Sequence, residues 1–139
     1  HAQQGVNQRS AHNQNLAKLD QIIAAYRKGL GEKWRDTLIL TVTEFGRTVK
    51  MNGSHGTDHG FGSATLISGG LVGQGAVISD WPSLKNSRLF ENRDLMVTID
   101  CRSLWCASLG KVFDIDHQTL ADEVFFDNSI PDISEYVFA

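Results

Sequence analysis

Basic runs, long apolar stretches and cysteines are all scarce in this chain of 139 residues. With no cluster of lysine or arginine and a formal charge of -3, it lacks the electrostatic footprint needed to hold nucleic acid or an anionic membrane surface. No apolar run approaches the roughly 20 residues of a membrane-spanning helix, which excludes membrane insertion by that route. The first residues offer neither a basic region nor an apolar signal core. His1 in first place is expected of a processed chain or a piece of a longer one, so the compartment stays open. The only two cysteines are Cys101 and Cys106, five positions apart on a predicted helix. At about 100° per residue they diverge by roughly 140°, which keeps them from pairing with each other.

What is present reads as one α/β domain over residues 1–139. Leu16, Leu19, Ile22, Ile23, Tyr26 and Leu30 recur at helical spacing, Ser10 or Asn7 offers a cap, and Arg27, Lys28 and Gly29 form an expected stop. The continuous run DTLILTV, Asp36 to Val42, predicts a strand covered on both faces. Further apolar runs, Ala64 to Ser68 and Ala76 to Ser79, flank a glycine-rich turn from Gly69 to Gly75. Trp81-Pro82 opens an irregular segment reaching to about Asp94. A second amphipathic helix starts from Thr98 as cap and carries Leu104, Trp105, Leu109, Val112 and Phe113. A shorter helical stretch is expected around Thr119 to Phe125, and the tail from Ile130 is too apolar to be left in water.

The stretch GSHGTDHGFG, Gly53 to Gly62, combines four glycines with two histidines and an aspartate. Ordering it costs on the order of 1–2 kcal/mol per residue, and more at glycine, so it needs a tether. Glu44 follows the predicted strand, where functional groups of α/β sheets collect. With no helix between Phe45 and Gly62, the next strand is expected to return antiparallel and bring Asp58 and His59 toward Glu44, with His55 in the same loop. Two carboxylates and an imidazole at one point repel and titrate upward unless a cation compensates them. A divalent metal does so; mixed nitrogen and oxygen donors favour zinc, with manganese or calcium as other choices. Arg47 could hold an anionic group through its planar fork. The same residues also fit a surface turn, with Arg47 in an ordinary salt bridge. His12 and His117 read as solvated or structurally hydrogen-bonded.

The string TLILTVTEFGRTVKMNGSHGTDHGFGSATLISGG, followed by WPSL and DLMVTIDCRSLW, resembles the sulfatase-like family known as domain of unknown function 1501, over most of residues 1–113. That family is similar to the alkaline phosphatase superfamily. The resemblance implies a three-layer alkaline-phosphatase-like sheet with flanking helices, of which this chain is the C-terminal portion. It implies a metal-dependent hydrolase of phosphate or sulfate esters, a small anionic ester as ligand, and a periplasmic or secreted location through twin-arginine export. His1 matches the histidine of a Trp-Asp-Thr-His block whose Asp and His look like metal ligands, and His59, in His-Gly-Phe-Gly-Ser, looks like a later one. Glu44-Phe45 stands where relatives place an Asp-His pair. The Ser, Thr or Cys nucleophile of the superfamily has no counterpart here, so little activity is expected of this chain alone. Two other readings stay open: a non-catalytic module that binds an anion or a protein, and a structural loop with incidental calcium. Exposed sheet edges and the apolar tail also allow a homo-oligomer.

Overall fold

The computed structural model describes residues 11–73 and 75–138. The elements run α1 (Ala11–Leu30), β1 (Ile39–Thr41), β2 (Gly46–Arg47), β3 (His59–Gly60), β4 (Leu66–Ser68), α2 (Cys101–Phe113), α3 (His117–Thr119) and α4 (Ser134–Phe138), with 3₁₀ turns at Gly31–Asp36 and Asn86–Arg88. The class is mixed α/β, with two small antiparallel sheets, β1 with β4 and β2 with β3. The chain divides into two compact units that interleave in sequence. One holds α1, residues 42–65 and 81–97, and the other holds residues 32–41, 66–80 and 98–139.

In the first unit α1 follows the expected periodicity, but it runs through Gly29 and ends at Leu30. Gly31, with φ of 54°, supplies the left-handed residue that terminates it. The expected caps Ser10 and Asn7 lie outside the described residues. The ribbon of β2 and β3 pairs Gly46 with Gly60 and Arg47 with His59. Residues 93–95 extend it: Thr48 and Asp94 form a bridge, Val49 N–H donates to the Arg93 carbonyl at 3.2 Å, and Gly62 N–H donates to the Leu95 carbonyl at 3.0 Å. The chain reaches this position through a tight reversal in which Glu91 and Asn92, with φ of 50° and 54°, take the two left-handed places that a type I′ turn requires.

The run from Asp36 to Val42, of which all but Val42 lies in the second unit, gives only a three-residue strand. β1 is half-buried and pairs antiparallel with β4, Ile39 opposite Ser68 and Thr41 opposite Leu66. The strand expected to be covered on both faces is therefore corrected: Asp36 ends a 3₁₀ turn instead, and Val42 is exposed. The run Ala76 to Ser79 forms no strand, and Val77 is 95% exposed. Among the described residues its apolar side chains find no partner strand. The cap of α2 is Asp100, not Thr98; its carboxylate accepts from the Arg102 N–H at 2.8 Å. Arg102 also reaches Asp100 at 2.7 Å and Asp127 at 2.8 Å, which ties the start of α2 to the segment after a π-helical turn at Leu120–Val124. The core gathers Cys106, Leu120, Ala121 and Ile130, with Leu109 and Phe125 against it. Cys101 is exposed and Cys106 buried, and both are free, as their angular separation on the helix required.

Candidate functional site

The β2–β3 ribbon owes its closeness to glycine. A Cβ at Gly46 would overlap the carbonyl oxygen of Gly62, and one at Gly62 would stand 2.5 Å from the carbonyl oxygen of Leu95. Three backbones therefore cross where no side chain fits. Outward from that crossing, the Thr48 N–H donates to the Asp58 carbonyl and the Asp58 N–H donates to the Thr48 hydroxyl, both at 3.2 Å, with Thr48 buried.

The glycine-rich loop is tethered by Asn52. Its side-chain oxygen accepts from the Ser54 N–H at 3.0 Å and from the Gly56 N–H at 3.1 Å, while its amide donates to Asp58 Oδ1 at 2.9 Å. Its own N–H donates to the Gly56 carbonyl at 2.8 Å, and its carbonyl accepts from the His55 N–H at 3.1 Å. His55 takes a left-handed conformation, with φ of 57°. A single amide side chain thus satisfies the turn and fixes a carboxylate beside it.

The side chains singled out from the sequence fall as follows. Arg47, His55, Asp58 and His59 all sit on this ribbon and its loop, and Glu44 lies just ahead of β2, all in the first unit and all exposed. His1 lies outside the described residues. The structure brings Arg47 and His59 together as cross-strand partners. The His59 ring packs on Phe45, centroids 4.1 Å apart at 34°, and the Arg47 guanidinium lies 5.9 Å from the Phe45 centroid. Arg47 Nη1 donates to the buried Thr57 carbonyl at 3.2 Å, and Arg47 forms no ion pair with any described residue. The expected ordinary salt bridge at Arg47 is thus not made among them. Asp58 and His59, adjacent in sequence, go to different partners: the carboxylate to Asn52, the imidazole to Phe45.

Carboxylate and imidazole donors suit zinc chemically. Among the described residues, however, no group of three or more His, Cys, Asp or Glu side chains converges on a point an ion could occupy. These residues alone do not make a metal centre.

Two contributors escaped the sequence reading. Asn52 was announced only by the Asn52-Gly53 turn dipeptide. Asp94, 2% exposed, is held by its neighbour Arg93: Nη2 donates to Oδ2 at 2.9 Å, and Nε stands 2.9 Å from the buried Oδ1 without a hydrogen bond along that line. The hydrogen bond and charge of Asp94 raise the Arg93 guanidinium above its ordinary value, and the charges of Glu91 and Asp58 add to the effect. A buried aspartate inside a polar stretch carries no periodic signal.

His117, outside this ribbon, is structural: its Nε2 meets the Ile130 carbonyl at 2.8 Å. Among the described residues no helix is long and apolar enough to cross a membrane.

No curated protein and no solved structure matches the chain. The family model described as "Protein of unknown function (DUF1501)" matches residues 1–125, and the chain belongs to that family.

Proposed function

We propose that this chain is the C-terminal part of a metal-dependent hydrolase of phosphate or sulfate esters, and that its β2–β3 ribbon supplies the side that holds the anionic group. The observation that carries the reading is Arg47: a guanidinium without a carboxylate partner among the described residues, directly across the ladder from His59. One of its five N–H donors is anchored on the Thr57 carbonyl, 3.2 Å away, which holds the head in place and leaves the remaining donors for an oxyanion. Charge-assisted bonds of that kind orient a sulfuryl or phosphoryl group and stabilise charge developing on its oxygens.

On this reading a divalent ion, zinc in preference to manganese or calcium, takes its ligands from His1, Glu44, Asp58 and His59. The described members fall short of a ligand set by themselves. When bound, zinc would supply Lewis-acid polarisation of an ester oxygen. The substrate is a small anionic ester, which His55 also helps to receive, and the setting is periplasmic or secreted. The nucleophile is not assigned to this chain, so the 139 residues alone bind better than they turn over.

Elemental analysis of the longer protein, with phosphatase and sulfatase screens, tests the proposal. Bound zinc and ester turnover that Glu44→Ala or His59→Ala abolishes without lowering melting temperature support it. A metal-free, inactive longer protein removes it. The separation of Asp58 from His59 among their partners favours a second reading, a non-catalytic module that binds an anion. In that case sulfate binding depends on Arg47 while no ester is turned over.

A further inference from the structure

No residue of α1 is buried, and Leu16, Ile22 and Tyr26 are 51%, 53% and 56% exposed. Leu16, Leu19, Ile23, Tyr26 and Leu30 are spaced alternately three and four apart, with Ile22 beside them, an apolar stripe that needs a partner surface. We propose that this stripe pairs, antiparallel, with the same stripe of a second copy of the chain.

Charge fixes the register. When Leu19 of one copy faces Leu30 of the other, and Ile23 faces Tyr26, a two-fold axis repeats both contacts, as an isologous interface must. In that register Asp20 flanks the seam opposite Arg27 of the second copy, and the symmetry makes the pair twice. Ile22 then faces Gly29 of the second copy, whose lack of a side chain admits it. A slip of one heptad, placing Leu19 opposite Ile23, sets Asp20 against Asp20 instead. One register thus makes the Asp20–Arg27 pair twice, and its neighbour sets two aspartates against each other.

Sedimentation velocity of the full chain over a concentration series provides the test. The wild type is expected to associate into dimers as concentration rises. Asp20→Arg alone and Arg27→Asp alone each weaken association about tenfold, about 1.4 kcal/mol, as expected for two exposed ion pairs turned repulsive. The double variant Asp20→Arg/Arg27→Asp restores it, and Ile23→Asp abolishes it. These side chains are exposed or half-buried, so circular dichroism should show helix content retained. A wild type that stays monomeric at every concentration overturns the proposal, and so does a double variant no tighter than the single ones. Neither outcome depends on whether the β2–β3 ribbon binds an anion.

Discussion

Replacing Asn52 by alanine removes three side-chain hydrogen bonds at once while leaving its backbone pair with Gly56 in place. The three are unequal. Gly56 is buried, so its N–H loses its acceptor away from water, at a cost of about 1–3 kcal/mol. Ser54 is exposed, and its N–H turns to solvent for roughly 0.5 kcal/mol; the amide bond to exposed Asp58 contributes a similar amount. The sum is a loss of about 2–4 kcal/mol, read as a lower urea midpoint, with faster amide exchange confined to residues 52–58. Asn52→Asp separates the contributions, because it keeps both acceptors and sets a second carboxylate beside Asp58. It should lose only about 1 kcal/mol at neutral pH. A change below about 0.5 kcal/mol for Asn52→Ala, the ordinary surface value, would refute the assignment of Asn52 as the tether.

Gly46→Ala forces a methyl group into the carbonyl of Gly62 and should cost about 3 kcal/mol in chemical denaturation. Asp100→Ala removes both the α2 cap and a partner of Arg102 and should cost about 1–2 kcal/mol. Acid should loosen the second unit. Asp100 is held below its ordinary value by the side chain of Arg102, Asp116 by Thr119, Asp127 by Ser129 and then Arg102, and Asp132 by Ser134. A depressed native value gives stability that is present above the unfolded value of about 3.9 and is lost as pH falls through the native one. Urea midpoints should therefore fall steeply below pH of about 4, and less so in Asp100→Ala. With a thiol reagent at mildly alkaline pH, exposed Cys101 should react at once, whereas Cys106, buried and with its thiol pushed upward by burial, should react only on unfolding. Two fast thiols would contradict that packing.

Local patterns carried far and stopped at tertiary geometry. The 3.6-residue period of α1 and the antiparallel return after Glu44 were legible because each depends on neighbouring residues alone. The strand from Asp36 to Val42 was overextended: an apolar run states that side chains seek cover, not that a partner strand is at hand, and here β4 covers only three positions. The cap of α2 moved from Thr98 to Asp100 because Arg102 rewards the carboxylate with three further side-chain bonds, a geometry that spacing cannot show. At the site, the sequence predicts an antiparallel return bringing His59 toward Glu44, whereas the register that sets Arg47 opposite His59 is a product of the ribbon itself. The role of Asn52 and the buried Asp94 depends on which carbonyls and amides end up without water, and only coordinates reveal that.

The central claim is that Arg47, anchored on Thr57 and paired across the ladder with His59, is the anion-holding head of this chain. Two-dimensional ¹H–¹⁵N spectroscopy of the arginine Nε–H signals during titration with sulfate tests it directly. The account predicts a saturable shift of the Arg47 signal with resonances from His59 moving alongside it, and the His59 response to sulfate lost in Arg47→Lys, whose ammonium lacks the fork. Saturable shifts at other arginines with Arg47 unmoved, or no saturable shift at all, would contradict it.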